Sequence, residues 1–450
     1  MVLTMKIVYL TAGAAGMFCG SCMLDNALAR AMIHQGHETL LVPVYTPIRT
    51  DEEDVSIDRV FLGGVNVFLQ QKFPWLNYLP RWVDSAFNQP WLIRKLTANA
   101  GKTSPRLLGA LTVSMLKGME GNQRKEILRL CNWIEKEIQP DVLVLTNLLI
   151  GGCIPEFKKR IDASVFVTLQ GDDIFLDSLP EPYRKQSIEA MRRLVPSVDG
   201  FIVHSRDYGM RMAKLLQIPD NRWHVVPLGI DTQDFVVANS ERLQNSVAEI
   251  AKTFDSSSTD SGFTIGYFAR MAPEKGLHQL VDAFIELATR SENADLRLLM
   301  AGWMGPQHAD YWAEQQQKLN RANLQNRWAY LGSLERQKKL EFFRKIDLLS
   351  VPTTYLEPKG IFVLEAAAAG VPYVQPSHGA FPEIHQRLQA GWLFPAGDQR
   401  AYVNQLQSAI EQLRQPAKSF QANEYIRLAK QDILDEVSIQ RMATRVLDII

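Results

Sequence analysis

Glu357-Pro-Lys-Gly-Ile-Phe-Val-Leu-Glu365 places two carboxylates on either side of a glycine turn and a short apolar run. The residues that follow, Ala366-Ala-Ala-Ala-Gly370-Val-Pro372, are typical of a buried helix that is ended by Gly and Pro. Gly360 would then lie where a loop meets a helix, and the free backbone N–H groups there form a ready anion site. We expect Glu365 about two turns along the helix. The pattern therefore favours a ligand with phosphate in its middle and hydroxyl-rich groups at both ends, as in a nucleotide-sugar.

A second phosphate-binding pattern lies upstream. Phe263-Thr-Ile-Gly-Tyr-Phe-Ala269 predicts a strand, and apolar residues at positions 277, 280, 281 and 284 predict a helix. Between them runs the loop Arg270-Met-Ala-Pro-Glu-Lys275-Gly276. Arg binds phosphate oxygens bidentately and Lys supplies a point charge, so this loop is suited to a diphosphate.

At these residues the chain resembles the retaining glycosyltransferases of family 4, which have the two-domain GT-B fold. The family pattern G-x-x-x-R-x-x-x-x-K-G is met by Gly266, Arg270, Lys275 and Gly276, and the family's E-x7-E pair by Glu357 and Glu365. The resemblance implies that Arg270 and Lys275 hold the donor diphosphate, that Glu357 contacts donor-sugar hydroxyls, and that Glu365 contacts the nucleoside ribose. It also implies that the backbone of four residues faces the diphosphate: Gly360, Ile361, Phe362 and Val363.

Further matches support this resemblance in the same half of the chain. Gly379-Ala-Phe-Pro-Glu383-Ile is similar to the family's G-x-P-E-I turn, and Ala390–Asp398 is similar to its G-x-L-x-x-x-G-D segment. His378 precedes the first of these turns and is a candidate donor contact. The resemblance is strong over residues 263–400, patchy over 5–50, 165–178 and 199–235, and weak over 60–125.

The first glycine-rich loop runs from Thr11 to Cys22 and lies between a predicted strand and a predicted helix. The resemblance places Gly20 beside the donor phosphate and the acceptor, with Gly16 as a plausible neighbour. Cys19-Gly-Ser-Cys22 is also a C-x-x-C pattern at a helix N-terminus, where thiolates are stabilised. We interpret it as small residues in a tight turn, with a thiol oxidoreductase as the alternative.

Val167-Thr-Leu-Gln170-Gly-Asp172-Asp173 matches the family segment T-x-H-G-x-D with Gln in place of His. Gln170 can hydrogen-bond a sugar hydroxyl but cannot exchange a proton near neutral pH. Asp172 and His204 join it as candidates on the sugar or acceptor side, although a structural role is favoured for both. No metal or other cofactor is predicted, because the Arg and Lys of the diphosphate loop would carry the charge that Mg²⁺ carries elsewhere.

Composition and run lengths give no support for a nucleic-acid-binding or membrane-spanning protein. The 450 residues carry no formal net charge, so nothing in the overall charge points to nucleic acid. Four cysteines and no secretory signal fit a reducing cytoplasm. The longest apolar run, from Val142 to Ile154, is too short to span a bilayer. The sequence therefore predicts a cytoplasmic protein.

Strand and helix patterns alternate in both halves of the chain, which predicts an α/β protein with doubly wound parallel sheets. We expect two Rossmann-like domains facing across a cleft, an acceptor-side domain over 1–235 and a donor domain over 260–430. The polar stretch Asp255–Gly262 lies near their boundary. The amphipathic residues 437–450 are expected to form a helix that packs back on the first domain.

Residues 73–117 combine aromatic and basic side chains. Six aromatics lie between Phe73 and Trp91, and Asp84 is the one acid between Gln70 and Lys117. This composition suits peripheral contact with the inner face of a membrane or with a carbohydrate or lipid-linked acceptor. The alternative is an insertion that packs its own aromatics. For the whole chain, the sequence predicts transfer of a sugar to an acceptor hydroxyl, with a nucleotide-sugar-binding protein without transferase activity as the alternative.

Overall fold

The computed structural model describes residues 4–13, 20–48, 50, 52–57, 60–61, 105–235, 262–414 and 430–450. Predictions for Gly16, Cys19, the aromatic segment 73–91 and most of the stretch 255–262 lie outside these residues. The chain forms two compact units, one made of Met1–Pro227 with Met442–Ile450 and the other of Leu228–Arg441. Each unit contains a six-stranded parallel sheet flanked by helices, so the predicted α/β class is confirmed.

The first unit has the sheet order β2-β1-β3-β4-β5-β6. Its strands are β1 (Lys6–Thr11), β2 (Glu38–Pro43), β3 (Val142–Leu145), β4 (Ser164–Thr168), β5 (Gly200–Val203) and β6 (Trp223–Val225). Its helices are α1 (Gly20–His34), α2 (Pro105–Leu116), α3 (Arg124–Trp133), α4 (Ile154–Arg160), α5 (Asp172–Asp177), α6 (Tyr183–Leu194) and α7 (Arg206–Leu216). The inner strands are almost continuous apolar runs, as expected for a sheet covered on both faces.

The second unit repeats this design with the sheet order β12-β11-β10-β7-β8-β9. Its strands are β7 (Thr264–Phe268), β8 (Arg297–Ala301), β9 (Trp328–Tyr330), β10 (Leu348–Ser350), β11 (Tyr373–Pro376) and β12 (Gly391–Phe394). Its helices are α8 (Leu277–Ala288), α9 (Ala309–Arg321), α10 (Arg336–Arg344), α11 (Ile361–Ala368), α12 (Phe381–Leu388), α13 (Gln399–Arg414) and α14 (Lys430–Glu436). Strands β7 and β10 are neighbours from which the chain proceeds in opposite directions across the sheet, and ligands bind at such switch points.

The final helix, α15 (Ile439–Leu447), is shorter than the predicted 437–450 segment. Its last residues belong to the first unit, where the Thr444 hydroxyl donates to the Gln35 side-chain oxygen at 3.2 Å. Within the described ranges, no helix is long and apolar enough to cross a membrane.

Helix α2 lies in the region where the family resemblance is weak. Thr112, Val113, Ser114, Met115 and Leu116 are all buried. Gly109 lies so close to Tyr183 of α6 that a Cβ there would come within 2.7 Å of its ring. The described part of the 73–117 segment therefore packs into its own unit, whereas the aromatic residues on which both interpretations of the segment rest lie outside the described residues.

Candidate functional site

Arg270 lies in the loop that follows β7. The loop backbone is tied to the neighbouring strand by the Ala269 N–H, which donates to the Ala301 carbonyl, while the Arg270 carbonyl accepts from the Tyr267 hydroxyl at 3.0 Å. The Arg270 side chain is 50% exposed, and within the described residues its ion-pair partner is Glu274, at 3.3 Å. Its backbone is therefore fixed and its guanidinium is accessible to a ligand.

Lys275 ends a short 3₁₀ turn and is followed by Gly276, which directly precedes α8 and lies in the left-handed region at φ +74°. A Cβ at Gly276 would lie 1.7 Å from the carbonyl oxygen of Pro352. Only glycine allows this approach, because any other side chain would collide with backbone. The approach brings the loop after β7 against the loop after β10.

Glu357 meets Lys275 at this point. The Lys275 Nζ lies 2.7 Å from Glu357 Oε2 and 2.6 Å from the Tyr355 hydroxyl, which itself donates to Glu357 Oε2. Lys275 also lies over the rings of Tyr355 and Phe362, at 4.9 and 5.6 Å from their centroids. The two sequence motifs are thus joined in one cluster of a cation, a phenol and a carboxylate.

The second carboxylate oxygen of Glu357 faces the turn that precedes α11. Oε1 accepts the backbone N–H groups of Lys359 at 3.3 Å and Gly360 at 3.2 Å. Burial alone would raise the pKa of Glu357, but the Lys275 charge and the hydrogen bonds from Lys275, Tyr355 and Gly360 outweigh it and hold the pKa at about 2. Glu357 is therefore ionised at any physiological pH.

Gly360 has φ +63° and precedes α11, which begins at Ile361. The predicted junction of loop and helix is thus present, with Phe362 and Val363 buried in the first turn. The prediction that Glu365 lies about two turns along the helix is wrong. It lies four residues after Ile361, about one turn, because the residues before Gly360 form a loop and not a helix.

Glu365 forms a buried ion pair that the sequence analysis missed. Its Oε1 lies 2.9 Å from the Nζ of Lys339 on α10, and both side chains are 9% exposed. A signal for this pair was present in the sequence, because Lys339 precedes Phe342 and Phe343 by three and four residues and so occupies the buried face of α10. A lysine at such a position requires a buried partner.

Two further candidates of the second unit have mainly backbone or packing contacts. The His378 ring Nε2 lies 3.0 Å from the carbonyl oxygen of Thr353, in the loop that follows β10. Gly266 lies inside β7, where a Cβ would come within 2.4 Å of the Ile346 side chain. His378 thus borders the Lys275–Glu357 cluster, whereas Gly266 allows close packing of the sheet.

Gln170 follows β4 in the first unit and belongs to a buried polar network. Its Nε2 donates to the Thr146 hydroxyl at 2.8 Å and to Asp25 Oδ1 at 3.3 Å. Asp25 is fully buried on α1 and also accepts from Thr11 and Thr146, at 2.7 and 2.6 Å. The sequence analysis missed Asp25, although it follows Leu24 and precedes Leu28 on the buried face of the helix. Gly20 is the exposed first residue of that helix.

Asp172 and His204 make backbone contacts within the first unit. Asp172 accepts the N–H groups of Leu148 at 3.0 Å and Gln170 at 3.2 Å, which ties the ends of β3 and β4 together. Burial raises the pKa of Asp172 to about 7, against the lowering effect of these two bonds. The His204 Nδ1 lies 3.0 Å from the Val226 carbonyl oxygen. Both geometries are those of structural residues.

The raised pKa of Asp172 predicts a pH-dependent stability. A carboxyl whose pKa is higher in the folded state adds stability below its unfolded pKa, and that stability is lost as the pH rises through about 7. Between about pH 6 and pH 8 the loss should be about 1.4 kcal/mol. Thermal melts of wild type and Asp172→Asn across this range should show a flatter profile for the variant. Asp177→Asn, which changes an exposed carboxylate on the same helix, serves as the control, and equal slopes in all three proteins would contradict the expectation.

The described residues include candidate metal ligands and three of the four cysteines. Among them, no group of three or more His, Cys, Asp and Glu side chains is placed to hold a metal ion. Cys22 is buried on α1, and burial raises the pKa of Cys153 to about 12. Buried thiols with raised pKa values are poor nucleophiles.

Residues 250–426 match the family model of the glycosyl transferases group 1. The matched segment contains Arg270, Lys275, Glu357 and Glu365. The probable sucrose-phosphate synthase 1 of Citrus unshiu is 23% identical over 395 residues, which cover 78% of this chain and 35% of that protein. The chain thus spans about a third of the length of the curated relatives of this type that it matches.

Solved structures share the fold over nearly the whole chain. The sucrose-phosphate synthase of Thermosynechococcus elongatus superposes with a TM-score of 0.67 at 14% identity, covering 99% of this chain and 98% of that one. The Anabaena protein Alr3699/HepE, solved in complex with UDP and glucose, gives 0.63 at 16% identity, with coverage of 99% and 98%. The GT-B fold predicted from the sequence is therefore confirmed.

Proposed function

We propose that this protein is a retaining glycosyltransferase of family 4 that moves a sugar from a nucleotide-sugar to an acceptor hydroxyl on a glycan, a lipid or a small molecule. The observation that carries the proposal is the 2.7 Å contact between Lys275 and Glu357. It joins the loops after β7 and β10, at the switch point where open α/β sheets bind their ligands. The half-exposed Arg270 lies in the first of these loops.

The chemistry follows from the charges at this point. The bond between the anomeric carbon and the diphosphate oxygen breaks, and its electron pair leaves with the diphosphate. Arg270, Lys275 and the backbone N–H groups at the start of α11 stabilise the negative charge that develops, which is commonly the largest single contribution in such reactions. Attack by the acceptor hydroxyl on the same face retains the anomeric configuration. Its proton passes to the departing phosphate oxygen, which gains negative charge as the bond breaks.

The choice of donor rests on the same cluster. Glu365 and its partner Lys339 would lie at the ribose, and Glu357 at the sugar, on either side of the diphosphate. The Anabaena structure with UDP and glucose supports a donor of this class. We infer a cytoplasmic location. A membrane or lipid-linked acceptor would be met by residues 73–117, of which the structure describes 105–117.

A thermal-shift panel tests the donor site. The panel consists of UDP, GDP, ADP and CMP. A nucleotide that binds the native state alone and is present at about 100 times its Kd adds about 2.7 kcal/mol to the stability of the protein. We expect one nucleotide to stabilise wild type and Arg290→Ala but not Arg270→Ala. Arg290 is a matched control, because it lies just after α8 and also forms an i,i+4 ion pair, with Glu286. No shift with any nucleotide at millimolar concentration would overturn the proposal.

A nucleotide-sugar-binding protein without transferase activity is the second candidate, and it is favoured by one observation. Gln170 occupies the position of the family's histidine and is held by Asp25 and Thr146. The two candidates differ in turnover. Slow release of the nucleoside diphosphate from its sugar ester is expected of the transferase and not of the binding protein.

A further inference from the structure

Glu357 has no hydrogen-bonding capacity left in this structure. A carboxylate offers about four acceptor positions. Oε2 takes the Lys275 Nζ and the Tyr355 hydroxyl, and Oε1 takes the backbone N–H groups of Lys359 and Gly360. A sugar hydroxyl can therefore bind Glu357 only after one of these four donors has left.

The four donors differ in their freedom to leave. The two N–H groups belong to the turn before α11, whose backbone is fixed by the positive φ of Gly360. Tyr355 has a rigid side chain with two rotatable bonds, and its phenol accepts from Lys275 while it donates to Glu357. Lys275 has a long flexible side chain, so its ammonium is the donor that can move.

A diphosphate gives Lys275 a reason to move. Two phosphate groups carry more negative charge than one carboxylate and attract the ammonium more strongly. When Lys275 turns toward them, Oε2 of Glu357 loses its cation and gains one vacant acceptor position. The Tyr355 hydroxyl then remains as the one side-chain group of the cluster that still holds the carboxylate in place.

We propose that Tyr355 is a positioning residue for donor-sugar recognition, and that arrival of the diphosphate transfers Lys275 from Glu357 to phosphate and opens Glu357 to a sugar hydroxyl. This inference rests on the proposed function. It makes recognition of the sugar depend on the diphosphate of the same molecule. In the presence of a free sugar, all four acceptor positions of Glu357 are taken by protein donors. When the sugar is attached to a nucleoside diphosphate, Lys275 moves to the phosphate and leaves one acceptor position for a sugar hydroxyl.

The test compares the affinity of a nucleoside diphosphate with that of its glucose ester, using the pairs UDP and UDP-glucose, ADP and ADP-glucose, and GDP and GDP-glucose. Calorimetry without acceptor gives the two Kd values. The Kd of the nucleoside diphosphate divided by the Kd of its glucose ester measures the contribution of the sugar. In Tyr355→Phe we expect this ratio to fall about tenfold, the size of one hydrogen bond to a charged group. A merely structural role would weaken both ligands equally and leave the ratio unchanged.

Two further variants complete the test. Glu357→Gln should lower the ratio as Tyr355→Phe does, and the double variant should lose little more, because Tyr355 acts through Glu357. Tyr330→Phe removes a phenol that donates to the Gly302 carbonyl in the same unit and should leave the ratio unchanged. This inference alone would be overturned if Tyr355→Phe bound both ligands normally with an unchanged ratio. It would also be overturned if the double variant lost as much of the ratio as the two single variants together. Failure of wild type to bind any of the nucleotides would overturn the proposed function and the inference together.

Discussion

Replacing Glu357 with alanine is expected to lower the free energy of unfolding by about 3–5 kcal/mol, the cost of leaving one partner of a buried ion pair alone. The Lys275 side chain is 12% exposed and would keep its charge without the carboxylate that neutralises it. The N–H of Gly360 would also lose its acceptor at the start of α11. Urea denaturation gives the midpoint and slope from which this loss is measured.

A double variant separates the unpaired charge from the loss of packing. Glu357→Ala with Lys275→Met removes both charges, so it should be less destabilised than Glu357→Ala alone. Glu286→Ala breaks an ion pair whose carboxylate is 57% exposed and should cost less than about 1 kcal/mol. If Glu357→Ala lowers the free energy of unfolding no more than Glu286→Ala does, Lys275 and Glu357 do not form a buried ion pair.

The loss of folding stability in Glu357→Ala should depend on pH. The pKa of Glu357 is held at about 2, below the ordinary value of 4.5. A carboxylate with a lowered folded pKa adds stability above its unfolded pKa, and that stability is lost as the pH falls toward the folded value. The difference in stability between wild type and Glu357→Ala should therefore be largest above about pH 5 and shrink in acid.

The fold was largely predictable because parallel strands buried on both faces have short apolar runs between turn residues. Strand β7 lies within the strand predicted over 263–269, and helix α8 begins at Leu277, the first of the apolar positions that predicted it. Helix α2 was not predicted, since its buried face includes Gly109, Thr112 and Ser114 and so lacks a clean apolar pattern. Packing against α6 determines that helix, and packing between distant segments has no local signal.

The site was predictable at the level of motifs but not of contacts. The spacing of Arg, Lys and Glu indicated which loops form it. Lys275 forms hydrogen bonds with Tyr355 and Glu357 because β7 pairs with β10. A sequence pattern does not specify that pairing. The pairing of Lys339 with Glu365 depends in the same way on how α10 packs against α11. Motifs thus predicted the residue types, and the structure supplied their partners.

Replacing Arg270 with alanine is expected to lower kcat/KM by about 10²–10³-fold, or about 2.7–4 kcal/mol of transition-state stabilisation. The guanidinium has no buried partner among the described residues, and its one ion pair, with Glu274, is solvent-exposed. Its removal should therefore change the free energy of unfolding by less than about 1 kcal/mol. A large loss of turnover in a protein of normal stability would separate a role in catalysis from a role in folding.

Release of nucleoside diphosphate from its glucose ester, with water as the acceptor, measures this loss without knowledge of the natural acceptor. Arg270→Lys keeps the charge but not the bidentate geometry and should lie between wild type and Arg270→Ala. Arg290→Ala, which removes the same type of ion pair just after α8, should turn over like wild type. Turnover of Arg270→Ala equal to that of Arg290→Ala would show that the half-exposed guanidinium after β7 does not meet the leaving diphosphate. The negative charge on the leaving diphosphate would then be stabilised by Lys275 and the start of α11 alone.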